Sequence, residues 1–208
     1  NAGIIVVHVV SNEKFALKAE TCGVDAVVAE GFEAGGHNGK EETTTLVLVP
    51  QIVNAVQIPV IAAGGIGTGK TMLAAMALGA EAVQIGSRFV ASLESSAHVN
   101  FKNAVIEAKD GATQLSLKQL TPVRLLKNEF WHQVASAELK GAKKEDLIDL
   151  LGRARAKKGM FEGDLDAGEL EIGQISGYID EIKPAAQIVE EIVAEFNTEI
   201  EKLSNIRL

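Results

Sequence analysis

Residues 59–88 read PVIAAGGIGTGKTMLAAMALGAEAVQIGSR, and this stretch decides the fold. Pro59-Val60-Ile61-Ala62-Ala63 is a short apolar run, the pattern of a strand covered on both faces. Thr68 to Leu78 continues in good helix formers, and Gly79 stands where a helix end needs a left-handed residue. Ala82-Val83-Gln84-Ile85 is the next strand. A strand, a helix and a second strand at this spacing make a parallel βαβ unit.

The same grammar extends backwards. Ile4 to Val10 is a continuous Val- and Ile-rich strand, and Ser11 offers a helix cap ahead of Phe15, Ala16, Leu17 and Ala19. Val24 to Ala29 is a further strand, and Leu46 to Val56 has helical spacing with Pro50 disturbing its first turn. Gly23-Val24-Asp25-Ala26-Val27 and Gly79-Ala80-Glu81-Ala82-Val83 share the pattern Gly-x-acid-Ala-Val, as expected of equivalent βα units in a barrel or doubly wound sheet. After Phe89 no strand pattern stands out. Asn100–Ala108, Ala135–Leu151 and Pro184–Leu203 read as helices, with a glycine-rich connector over 159–177. The expected division is 1–98 for the strand–helix part and 99–208 for a helical and loop extension completing the same domain.

The 208 residues carry 20 Lys and Arg against 28 Asp and Glu, a net charge of −8 that opposes nucleic-acid binding. Cys22 alone excludes an internal disulfide or a cysteine-rich metal site and suits a reducing cytoplasm; a small buried position is expected for it. No apolar stretch reaches membrane-spanning length, because Pro50, Gln51, Asn54, Gln57 and Pro59 interrupt the longest, and no signal-peptide pattern stands at the start.

Three glycine-rich loops each follow a strand, so all open at the carboxyl end of a parallel sheet, where α/β folds bind ligands. The first, Glu30 to Gly39, flanks His37 with glycines; an imidazole there can serve as acid or base near neutrality. The second, Ala63-Gly64-Gly65, and the third, Gln84-Ile85-Gly86-Ser87, can turn backbone N–H groups on an anion. Gly64-x4-Gly69-Lys70-Thr71 matches a nucleotide-triphosphate loop by spacing, but no strand supplies a metal-binding Asp, so that reading is set aside. His8, His98 and His132 read as structural. Arg153, Arg155, Lys157 and Lys158 read as a solvated face, and Glu162, Asp164, Asp166, Glu169 and Glu171 as a solvated loop; no metal site is expected.

With those loops in place, the sequence resembles the flavin-dependent family of nitronate monooxygenases (2-nitropropane dioxygenases) and flavin-type enoyl-acyl-carrier-protein reductases. The residues that carry the likeness are Ala29 to His37, Pro59 to Ile66 and Leu78 to Phe89, with Glu162-Gly163-Asp164 through Gln174 farther on. The resemblance implies an α/β fold, the FMN-binding (β/α)8 TIM barrel, with this chain holding strands 5–8 and a C-terminal helical extension. It implies FMN held by Glu33, Gly35, Gly36, Ala63, Gly64, Gly65, Gln84, Gly86 and Ser87, with the phosphate at Gly64, Gly65, Gly86 and Ser87. His37 would be catalytic, facing the substrate.

In the reductase reading, NAD(P)H is the reductant and an enoyl group on acyl carrier protein the substrate, in fatty acid synthesis. In the alternative, oxygen oxidises an alkyl nitronate. Val9 and the loop Glu33-Ala34-Gly35-Gly36-His37 favour the reductase branch, since many monooxygenases of the family have a lysine at the first position and Cys-Ala-Gly-His in the second. A full barrel takes about 250 residues and eight strands. Four strands leave open edges, so a missing N-terminal barrel half or another copy in a homo-oligomer is the expected partner. A flavin-binding half-barrel without turnover is the non-enzymatic alternative.

Overall fold

The computed structural model describes residues 2–205. In chain order its first elements are β1 (Val7–Val10), α1 (Glu13–Thr21), β2 (Ala26–Glu30), β3 (Gly36–His37), α2 (Thr45–Ala55), β4 (Val60–Ala63), α3 (Gly69–Ala77) and β5 (Ala82–Gln84). There follow α4 (Ser87–Val90), α5 (Val99–Glu107), β6 (Thr113–Ser116), β7 (Val123–Leu126), α6 (Glu129–Leu139), α7 (Lys144–Leu151) and α8 (Ala185–Ser204). They form two compact units. One takes the chain up to Glu33, Glu41–Ile85 and the residues from Ala186 onward; the other takes Ala34–Lys40 and Gly86–Ala185.

The first unit is α/β, built on a parallel sheet in the order β1-β2-β4-β5. Its two Gly-x-acid-Ala-Val segments do the same work. Gly23 and Gly79 take φ of 81° and 99° just after α1 and α3, and the acidic residue then enters the sheet. The Asp25 N–H donates to Val6 O at 2.8 Å and the Glu81 N–H to Val60 O at 2.9 Å. The sequence repeat is a repeat of helix-to-strand geometry.

Leu48, Val49 and Ile52 of α2 are buried with Val27 and Ala29 of β2 and Val60 and Ala62 of β4. Asn12, one residue beyond the expected Ser11, caps α1 by accepting the Phe15 N–H at 2.9 Å. Thr68 and Thr71 form a reciprocal cap on α3. Pro50 lies inside α2, past the first turn, where its ring removes one backbone hydrogen bond. Cys22 is exposed and not buried: it caps the C-terminus of α1, its N–H bonded back to Lys18 O. The sheet ends on an apolar edge strand: Ile4 and Ile5 are three-quarters exposed, and Val7 and Val9 of β1 are exposed too.

The second unit corrects the expectation that strands stop at Phe89. β3, β7 and β6 form an antiparallel sheet in that order. Its strands are two to four residues long, and Arg124 interrupts the apolar run of β7, so the alternation that marks a strand in sequence never accumulates. The stretch expected as one helix over 135–151 is two, α6 and α7, parted at Gly141 with φ 75°. Two apolar clusters hold this unit. Phe101, Val105, Leu126, Leu170 and Ile172 belong to one, and Leu125, Phe130, Val134 and Leu147 to the other.

Candidate active site

In the first unit, the expected cofactor residues gather at the carboxyl ends of β2 and β4. The Glu33 carboxylate accepts the Thr45 N–H (2.9 and 3.2 Å) and the Thr45 hydroxyl (2.8 Å), and so closes the N-terminus of α2. Beyond Ala63, which is buried, Gly64 and Gly65 turn with φ of 92° and 67°, a path open to glycine at low cost. A Cβ on Gly65 would come within 3.2 Å of Glu33 Cβ, and one on Gly64 within 2.7 Å of Gly31 O. Gln84 ends β5, exposed. Glu30 ends β2 and burial pushes its carboxyl up.

The triphosphate-loop reading fails on geometry. The Gly69 N–H, where a phosphate would bind, donates to Glu195 Oε2 at 2.6 Å, and Lys70 pairs with Glu195 at 3.6 Å. A Cβ on Gly69 would lie 2.2 Å from Phe196 N, so this glycine serves the packing of α8.

In the second unit, β3 carries His37 at an exposed position. Gly36 pairs with Arg124 and His37 with Val123 of β7. β6 occupies one edge of β7 along its whole length, so the partners of the other edge follow one another. Once β3 ends, that edge is taken by Leu170 and Glu171: the Leu126 N–H donates to Leu170 O at 2.8 Å, and Leu125 bridges Glu171. This register brings Glu171 beside the Gly35-Gly36-His37 segment. A Cβ on Gly35 would lie 2.3 Å from the Ile172 carbonyl carbon, and one on Gly36, with φ 76°, 2.6 Å from Glu171 Oε2. The two glycines therefore make room for the chain's own residues 171–173.

His37 opens on a cavity of about 280 Å³ walled also by Val123, Leu151, Arg155, Glu169 and Glu171. The acidic run expected as a solvated loop thus divides. Glu162 and Asp164 stay at the surface in pairs with Lys157 and Lys158 (3.1 and 3.0 Å), whereas Glu169 is buried and Glu171 lines the cavity. Burial, aided by the nearby Glu171 and opposed by Arg155, pushes the Glu169 carboxyl up to about 7. Burial also raises Glu171, with the charge of His37 pulling the other way.

Arg155, expected on a solvated face, donates to the carbonyls of Leu150, Leu151 and Ala167 and stacks 4.4 Å from the Phe130 ring. The two-residue alternation of Glu169 and Glu171 about Leu170 was the signal available for this wall.

The family model for nitronate monooxygenase matches residues 1–195. The chain belongs to the nitronate monooxygenase family. A probable nitronate monooxygenase of Staphylococcus saprophyticus is 42% identical over 130 residues, covering 57% of this chain and 36% of that protein. Among solved structures, FabK from Thermotoga maritima is 43% identical with a TM-score of 0.90, covering 97% of this chain and 64% of that one. Nitroalkane oxidase from Streptomyces ansochromogenes is 32% identical with a TM-score of 0.79, covering 97% of this chain and 60% of that one. The chain spans between about one third and two thirds of the length of these three relatives.

The family's flavin would need room at Gly86 and Ser87, which belong to the second unit. Gly86 has φ −107°, which any residue adopts, and a Cβ there would meet nothing within 4 Å. Neither backbone conformation nor packing inside the protein calls for glycine at this exposed site, so a close-approaching ligand fits the space. Ser87 Oγ accepts the Gly173 N–H at 2.9 Å, which orients the hydroxyl and leaves its own proton to donate. Among the described residues no group of His, Cys, Asp and Glu could hold a metal ion, and no helix is long and apolar enough to cross a membrane.

Proposed function

We propose that this chain belongs to an FMN-dependent oxidoreductase that reduces an enoyl thioester carried on acyl carrier protein, with NAD(P)H as reductant in the cytoplasm. The observation that carries the reading is the match to FabK, 43% identical over 97% of the chain with a TM-score of 0.90. FabK is an enoyl reductase of the flavin type.

Bound FMN would supply the two-electron chemistry at the β-carbon. In the first unit the glycine turn Gly64-Gly65 supports a role in holding its phosphate; in the second unit, taken by itself, the open space at Gly86 and the hydroxyl of Ser87 support such a role. Glu33 abuts the Gly64-Gly65 turn that follows Ala63, Gln84 ends β5, and Gly35 and Gly36 seat residues 171–173; a role for these five in holding FMN belongs to the same reading. His37 meets the thioester, orients it, and holds the proton that the α-carbon takes up. The apolar, exposed β1 edge supports completion of the sheet by four further strands of an eight-stranded barrel, from a preceding half of the protein or from a homo-oligomeric partner.

The family model and the probable nitronate monooxygenases favour a second reading, in which His37 takes a proton from, or steers, an alkyl nitronate. One comparison separates the two. Anaerobic NADH consumption driven by a crotonyl thioester is expected of the full-length protein; oxygen uptake with propionate nitronate and no thioester-driven NADH consumption would reject the reductase reading.

A further inference from the structure

We propose that Lys102 is a positioning residue for the flavin phosphate: buried on α5, it anchors the far end of the segment that begins at Gly86 and Ser87, and so fixes the place of those two residues. The inference rests on the reading of Gly86 and Ser87 as part of the phosphate grip. All the residues concerned belong to the second unit. Lys102 is 8% exposed, and its Nζ donates to Ser92 O at 2.6 Å and to Leu93 O at 3.3 Å. From there a continuous chain of hydrogen bonds runs back to Gly86. The Ser92 N–H and hydroxyl both donate to Phe89 O, at 3.2 and 2.8 Å, and the Phe89 N–H donates to Gly86 O at 2.9 Å.

The kind of side chain matters as much as its place. Buried cations are ordinarily paired with an acid, yet among the described residues no carboxylate is bonded to Lys102. Its charge goes to backbone carbonyls at the end of the α4 segment. A cation there favours the alignment of peptide dipoles that turns N–H groups outward at the opposite end, where Gly86 and Ser87 stand. Other bonds hold the sides of the segment. Ser87 Oγ accepts the Gly173 N–H at 2.9 Å, Arg88 Nη1 donates to Glu181 O at 3.3 Å, and Ala91 and Leu93 pair with the Lys183 backbone at 3.3 and 3.0 Å. Lys102 adds the side chain that closes the carbonyls of Ser92 and Leu93.

The test is a fluorescence titration of the full-length protein, freed of flavin, with FMN and with riboflavin, which lacks only the phosphate. The parent should hold FMN more tightly than riboflavin. Lys102→Met should weaken FMN binding about tenfold and leave riboflavin binding within about twofold. Ser92→Ala keeps the lysine and removes the hydroxyl link to Phe89, so it should act in the same direction. The double variant should lose little more than Lys102→Met alone, because both residues serve one chain of bonds. Equal loss of both flavins marks a packing role and overturns the proposal. So does an unchanged FMN affinity in Lys102→Met or, where that variant gives no folded protein, in Ser92→Ala. A parent that binds riboflavin as tightly as FMN rejects the phosphate grip itself, and the proposal with it.

Discussion

Arg124 donates its Nε–H to the carbonyl oxygen of Ala34 across 3.1 Å, and both residues are buried. The bond ties β7 to the loop that leads through Gly35 and Gly36 to His37, so the position of the imidazole is set from beneath by a charged side chain. Its planar fork matters, since Arg124 also reaches Thr113 Oγ1 at 3.5 Å. Arg124→Met removes this charged donor and leaves the Ala34 carbonyl only its bond from Asn38 Nδ2 at 2.9 Å. Urea unfolding should show a loss of about 2 kcal/mol, and Arg124→Lys should not restore it.

Gly35 and Gly86 were both expected to contact the cofactor, yet their surroundings differ. A Cβ on Gly35 would strike backbone atoms of Ile172 and Gly173 at 2.3 and 2.4 Å, whereas one on Gly86 meets nothing. Gly35→Ala should therefore yield little folded protein, as judged by soluble expression and circular dichroism. Gly86→Ala should fold with an unchanged melting temperature but bind FMN at least about tenfold more weakly by flavin fluorescence titration, one such factor being about 1.4 kcal/mol. Tight flavin binding by Gly86→Ala would remove this glycine from the phosphate grip.

Glu169 sets a pH dependence of stability. Its native value is raised from 4.5 to about 7, chiefly by burial, so the native state keeps a proton that the unfolded chain releases over this interval. The contribution is fully present below pH 4.5 and is lost as the pH climbs through 7. At about 1.4 kcal/mol per pH unit it is on the order of 3 kcal/mol. Glu169→Gln mimics the protonated acid, so its unfolding free energy should fall less steeply than the parent's between pH 4.5 and 7 and exceed that of the parent at pH 8. Parallel pH profiles for the two proteins would show that Glu169 titrates normally.

The parallel half of the fold was legible because its signals are long and redundant. β-branched runs such as Val24–Ala29, the formers of α3 and the glycine endings Gly23 and Gly79 all point to one answer. The antiparallel sheet was not legible, because two-residue β3 and Arg124 within β7 leave no alternation to read. His37 was visible through its flanking glycines, but the reason for those glycines was not. Sequence alone suggested an approaching ligand, while the structure fills Gly35 and Gly36 with residues 171–173. Glu169, Glu171 and Arg155 were hidden in charged runs whose neighbours Glu162, Asp164, Lys157 and Lys158 do face solvent. What sets the cavity wall apart is backbone pairing that the sequence does not display: Leu126 N–H to Leu170 O, Glu169 N–H to Arg155 O and the bridge from Leu125 to Glu171.

The central claim is that His37, at the end of β3, acts on an enoyl thioester in an enzyme loaded with FMN. The most direct measurement is anaerobic NADH turnover with a crotonyl thioester, comparing full-length parent and His37→Ala at equal flavin content. The account predicts a loss of at least about 100-fold in kcat with FMN occupancy unchanged. Equal turnover by the two proteins would contradict it.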